Sequence, residues 1–99
     1  MQARMFIVFL KFSDNRGNAG EFMDGHNAWI KSGIDDNVFL LVGSLQPGLG
    51  GAIVAHNTTR ADLENRVSAD PFVAENIVTA ELHEITPAMT DARLNFLVE

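Results

Sequence analysis

M-F-I-V-F-L-K-F, residues 5–12, decides how this chain folds. Phe, Ile and Val crowd it, and S-D-N-R-G-N at 13–18 closes it, the pattern of a strand running into a loop. Side chains alternate across a strand. Phe6, Val8, Leu10 and Phe12 therefore share one face, and Met5, Ile7, Phe9 and Lys11 the other. Both faces are mostly apolar. One is expected to pack on helices, and the other needs a second cover. The run is too short to cross a membrane and lacks the small-residue cleavage site of a signal peptide.

Working outward, residues 19–32 carry helical periodicity. Phe22, His26, Trp29 and Ile30 fall on one stripe, with Glu21, Asp24, Ala28 and Lys31 mostly opposite. Gly33 is placed as a C-cap. V-F-L-L-V-G-S at 38–44 reads as a second strand, L-Q-P-G-L-G-G as a turn, and A-I-V-A-H at 52–56 as the returning third strand. Thr59 caps a second helix, with Asp62 at the capping-box position. Leu63 and Val67 mark its buried face. Three residues on, the same spacing lands on Asp70, which is expected to point inward. I-V-T-A-E-L-H-E-I at 77–85 alternates as a fourth strand, with Val78, Ala80 and Leu82 against Thr79, Glu81 and His83. Pro87 ends it, and residues 88–99 read as a short amphipathic tail helix.

The order β-α-β-β-α-β predicts an α+β, ferredoxin-like fold with a four-stranded antiparallel sheet and both helices on one face. Ninety-nine residues make one domain, with a core over about 5–86 and a tail over 87–99. A monomer with Ile7 and Phe9 on an open face leaves an apolar patch in water, so a two-fold homodimer packing sheet on sheet is expected. The composition is that of a folded globular protein, 46% hydrophobic and 20% charged. A net charge of −6 with no basic cluster argues against nucleic acid and anionic membranes as partners. The absence of cysteine excludes disulfides, thiolate metal sites and a cysteine nucleophile. A cytoplasmic location is the default expectation.

Two residues stand out as carriers of chemistry. His26 lies on the apolar stripe of the first helix, beside Gly25, a residue that costs about 1 kcal/mol in a helix relative to Ala. That glycine is expected to leave room for a ligand or a close backbone, and Trp29, one turn on, to supply a flat apolar wall. A core histidine is the commoner role for such a position. Asp70 precedes Pro71, the pairing of a favoured N-cap with a favoured first helical residue. A carboxylate has two oxygens, so one is expected to accept helix N–H groups while the other accepts an imidazole N–H. Such a bond fixes the tautomer of the histidine and supports the protonated ring, as a general base requires.

H-N-A-W-I-K-S-G, L-L-V-G-S-L, G-L-G-G-A-I-V and A-D-P-F-V, followed by a closing strand, resemble in order and spacing the YCII-related family, over about residues 5–86. The resemblance implies a dimeric α+β barrel of ferredoxin-like subunits and a His–Asp active-site pair, which falls on His26 and Asp70. Activities in the family include dehydrochlorination of chlorinated hydroxyquinols, and the wider superfamily includes muconolactone isomerase and cofactor-free monooxygenases. It therefore implies proton transfer on small, cyclic or aromatic molecules. Two positions depart from the pattern. Met23 stands where many relatives carry a basic residue, and Ser44 where relatives often have proline. The tail after Pro87 lies outside the resemblance.

Together these readings predict a small cofactor-independent enzyme with a pocket between helices and sheet. His26 acts as general acid/base and Asp70 orients it. Trp29 and Phe72 wall the pocket, and Ser44 or the amides of Gly50 and Gly51 meet a substrate oxygen. The expected step is elimination or isomerisation of a small-molecule substrate. Rival readings are a non-catalytic module binding a metabolite or a protein, and an oxygenase relying on the reactivity of its substrate. G-L-G-G at 48–51 lacks the following Lys-Ser/Thr of a phosphate loop and is read as a turn. Glu81 and His83, joined by His26 or Asp70, have the composition of a two-His-one-carboxylate metal site, but a polar strand face is the preferred reading, and no metal is expected. His56, at a strand end, is expected at the surface.

Overall fold

The computed structural model describes residues 4–98. The chain runs through β1 (Met5–Phe12), a 3-10 turn (Arg16–Asn18), α1 (Ala19–Asp35), β2 (Phe39–Leu45), β3 (Gly50–His56), α2 (Arg60–Ser68), α3 (Pro71–Ala74), β4 (Val78–Ile85) and a 3-10 segment (Ala92–Leu97). The sheet order is β2-β3-β1-β4, with every neighbouring pair antiparallel. This is the ferredoxin-like arrangement the sequence predicts. No helix among the described residues is long and apolar enough to cross a membrane.

Alternation along β1 divides the sheet as its sequence dictates. Phe6, Val8 and Leu10 are buried. Ile53 and Ala55 of β3 and Val78 of β4 join them, and the layer closes against Trp29 of α1, Leu63 and Val67 of α2, and Phe72 of α3. Each fully buried side chain of this size contributes about 2 kcal/mol. The opposite face presents Ile7 and Phe9 of β1 beside Val54 and Ala52 of β3. Leu41, paired with Val54, is 58% exposed there.

Four local expectations are corrected, two of them at glycines. Gly33 is not a cap, because α1 continues to Asp35. The helix ends in a Schellman motif: Asn37, with φ 62°, donates to the Ile34 carbonyl, and Val38 N–H donates to the Gly33 carbonyl. Gly33 is instead buried against Phe39, whose ring occupies the space a Cβ would need. Gly50 and Gly51 belong to β3, not to the turn. Gly48, with φ 60°, is the left-handed residue of the loop, and Gly50, with φ 138°, lies so close to the Leu10 carbonyl that a Cβ would collide with it.

The tail is not an α-helix. It forms 3-10 turns over Ala92–Leu97, broken by non-helical dihedrals at Leu94. It anchors through the buried Leu97 and through Phe96, whose ring meets His56 edge-on at 5.6 Å. His56 is therefore half-buried, not a surface residue. Its Nε2 is buried without a partner among the described residues, and burial holds its imidazole below the ordinary histidine range. Gly33→Ala is expected to destabilise the protein by roughly 1–3 kcal/mol through overpacking against Phe39. Gly20→Ala, in the same helix with open space at its Cβ, should stabilise by about 0.5 kcal/mol. Urea unfolding of both variants checks the opposite signs.

Candidate active site

Gly25 sets the spacing of the site. A Cβ there would stand 3.1 Å from Cγ of Pro71, so the glycine lets α1 lie against the first turn of α3. It makes room for the Pro71 ring, and so for neither the ligand nor the close backbone expected of it. The next residue, His26, is thereby brought onto Asp70, with Nδ1 2.7 Å from Oδ1. Asp70 is 0% exposed and the His26 side chain 13% exposed.

Asp70 is the N-cap of α3, and its Oδ1 accepts the Phe72 N–H at 3.0 Å. The division of labour differs from that expected. One oxygen serves both the helix and the imidazole, and Oδ2 is buried with no partner among the described residues. With Nδ1–H donating to the carboxylate, the His26 lone pair lies on Nε2. This nitrogen is not buried and has no protein partner among the described residues. The His26 ring stacks on Phe72 with centroids 3.9 Å apart and 4° between planes, which fixes its orientation.

His26 lines a cavity of about 310 Å³ between α1 and the sheet, at the lower end of the range for ligand sites. Leu10, Phe12, Ile30, Ile53 and Val78 form apolar walls, and Phe72 joins them. Ser44 and Asn27 are the polar side chains beside His26. The hollow has a sequence cause. Gly51 pairs with both Leu10 and Ser44 on the helix-facing side of the sheet, and its missing side chain leaves the space. Gly50 also lines it. Both glycines sit in a strand flanked on either side, so their backbone groups belong to the ladders, and what they offer a ligand is absent bulk. Ser44, Gly50, Gly51 and Phe72 thus line one cavity with His26.

Trp29 is not. It lines a different surface groove with Asp36, Asp62 and Arg66, and its Nε1–H donates to the Arg66 carbonyl at 2.8 Å. Its ring lies 5.9 Å from that of His26, so it backs the histidine without facing the cavity. Met23 and Asn27 were missed as lining residues. The 23, 27, 30 spacing along one edge of the His26 stripe is the signal that finds them. Glu81 and His83 face away from the site: they pair with Phe9 and Ile7 on the other side of the sheet, where Glu81 meets Lys11 at 2.7 Å. Lys11 above all, and His83 with it, hold the Glu81 carboxyl below its ordinary range. They do not converge with His26, and no group of three potential metal ligands occurs among the described residues. No tail residue among those described lines the cavity.

The chain matches no protein-family model and no curated protein sequence. It does match a solved structure, 5-chloro-2-hydroxyhydroquinone dehydrochlorinase (TftG) from Burkholderia phenoliruptrix AC1100 in complex with 2,5-dihydroxybenzoquinone. The TM-score is 0.69 over 80% of this chain and 90% of that one, at 11% identity. The likeness establishes a shared fold.

The double use of Asp70 Oδ1 makes a stability prediction. Asp70→Ala removes the cap and the His26 partner together and is expected to cost about 3 kcal/mol. Asp70→Asn keeps an accepting oxygen and should cost at least about 1 kcal/mol less. Equal losses in urea unfolding would show that neither bond contributes.

Proposed function

We propose that this protein is a small enzyme of the YCII-related type, in which His26 is the general acid/base and Asp70 its orienting partner. The single observation that carries this reading is the 2.7 Å Nδ1–Oδ1 bond, which leaves the other ring nitrogen free on a residue that lines a ligand-sized cavity. A base so held takes a proton from an acidic C–H or O–H of the substrate. In elimination the electron pair released moves through the ring and a substituent departs with its own bonding pair. In isomerisation the imidazolium returns the proton at a second carbon. Asp70 stabilises the imidazolium in either case, and Ser44 or Asn27 donates to a substrate oxygen. Stacking on Phe72 keeps Nε2 aimed while the proton moves.

The fold likeness to a dehydrochlorinase makes its named substrate the natural first probe. His26→Asn is expected to lower chloride release from 5-chloro-2-hydroxyhydroquinone at least 100-fold with little change in melting temperature. A variant that keeps wild-type turnover removes His26 from the mechanism. The shared Oδ1 favours a second reading, a binding module in which the pair only braces α1 against α3. That reading gains if the variant melts early and the wild type turns nothing over.

The working unit is a homodimer formed through the open sheet face. Ile7, Phe9, Val54 and the exposed Leu41 make an apolar surface there, of a kind monomers seldom leave in water. Light scattering at micromolar concentration should give twice the 10.8 kDa chain mass, and a monomeric mass would exclude this assembly.

A further inference from the structure

The charges around the cavity are unevenly placed. None of its lining residues is Asp, Glu, Lys or Arg. The His26–Asp70 pair adds no net positive charge with the imidazole neutral, and none when the imidazolium faces the carboxylate. An anionic group buried inside would meet no counter-charge, which is costly. Elsewhere, six of the seven basic residues pair with carboxylates. Arg16 alone has no ion-pair partner among the described residues. Its guanidinium stands 4.3 Å over the ring of Phe12, and Phe12 is a wall of the cavity.

The turn that carries Arg16 is tethered. Ser13 donates from its backbone N–H to the Ile77 carbonyl at 2.9 Å and from Oγ to the same carbonyl at 3.1 Å. Asn15 Nδ2 donates to the Asn76 carbonyl at 3.3 Å. Arg16 N–H closes the turn on the Ser13 carbonyl. The backbone beneath Arg16 is thus bound to the α3–β4 junction, beside Val78 of the cavity wall.

We infer that Arg16 is a specificity residue at the rim of the cavity, and that the substrate is a small amphipathic anion. Its apolar ring enters between α1 and the sheet, and its carboxylate or similar anionic group stays at the mouth on the Arg16 guanidinium. This rests on the cavity being the substrate site proposed above. The planar fork of arginine suits a carboxylate, and its stacking holds it over a ring that lines the cavity.

The test uses two probes of one shape, 4-hydroxybenzoate and 4-methylphenol, titrated into 15N-labelled protein while the amides of His26, Ser44 and Phe72 are followed. The wild type should bind the carboxylate about fivefold more tightly. In Arg16→Gln that preference should vanish while the affinity for 4-methylphenol is unchanged, and Arg16→Lys should keep part of it. A preference unaltered in Arg16→Gln, tighter binding of 4-methylphenol by the wild type, or no shift of these amides with either probe overturns the inference. The acid/base reading is judged separately by chloride release in the His26 variant and survives a loss of the carboxylate preference.

Discussion

A carboxylate taken wholly out of water has to be met by donors, or the fold that buries it does not form. Asp70 is in that position, and the donors it finds come from two elements. The Phe72 N–H belongs to the helix the aspartate itself begins. The His26 imidazole belongs to a helix more than forty residues earlier in the chain. Joining them ties α1 to the short α3 and sets the distance between α1 and the sheet. The cavity lies in the gap so fixed. Gly25 and Pro71 permit the approach, Phe72 stacks on the imidazole, and Gly51 leaves the space that remains.

Much of this frame is legible in the residues because alternation and capping are local signals. The period of two in β1 assigns Phe6, Val8 and Leu10 to the core without reference to anything distant. Thr59 and Asp70 cap their helices with the side-chain bonds their residue types favour. The spacing from Leu63 through Val67 to Asp70 turns the carboxylate inward, and it is buried. What the sequence does not reveal is how a glycine is used. Gly33 carries the same local signal whether it ends a helix or admits a ring from the next strand, and only the position of Phe39 decides. Gly50 and Gly51 resemble a turn because composition says loop, while pairing on both sides makes them strand.

The site is legible in its polar residues and less so in its walls. His26, Asp70, Ser44 and Phe72 come together, but Trp29, on the same stripe as His26, turns to the Arg66 carbonyl because an indole N–H withdrawn from water needs an acceptor. The stripe is broad enough that its two edges face different places. One edge, at Met23 and Asn27, meets the cavity, and the other, at Trp29, meets α2. A helical period identifies the stripe and leaves open which edge does which work. Arg16 is harder still to find, since a single arginine in a loop has no pattern, and its interest arises only from the pairing of every other basic residue.

The sheet order also bears on how the chain is made. β1 is synthesised first, yet its two neighbours in the sheet are β3 and β4, and its ladder with β4 joins Phe12 to Val78. An apolar strand therefore waits for a segment made only after α3 before its second edge is paired. Contacts of such high sequence separation slow folding. While the ribosome is still extending the chain, the β1 edge that β4 will later cover is exposed to other nascent chains. Residues 1–77 carry nine acidic against six basic side chains, and that excess keeps such chains apart during the interval. Stopping synthesis before β4 would leave the most apolar segment of the protein as a strand edge without its partner.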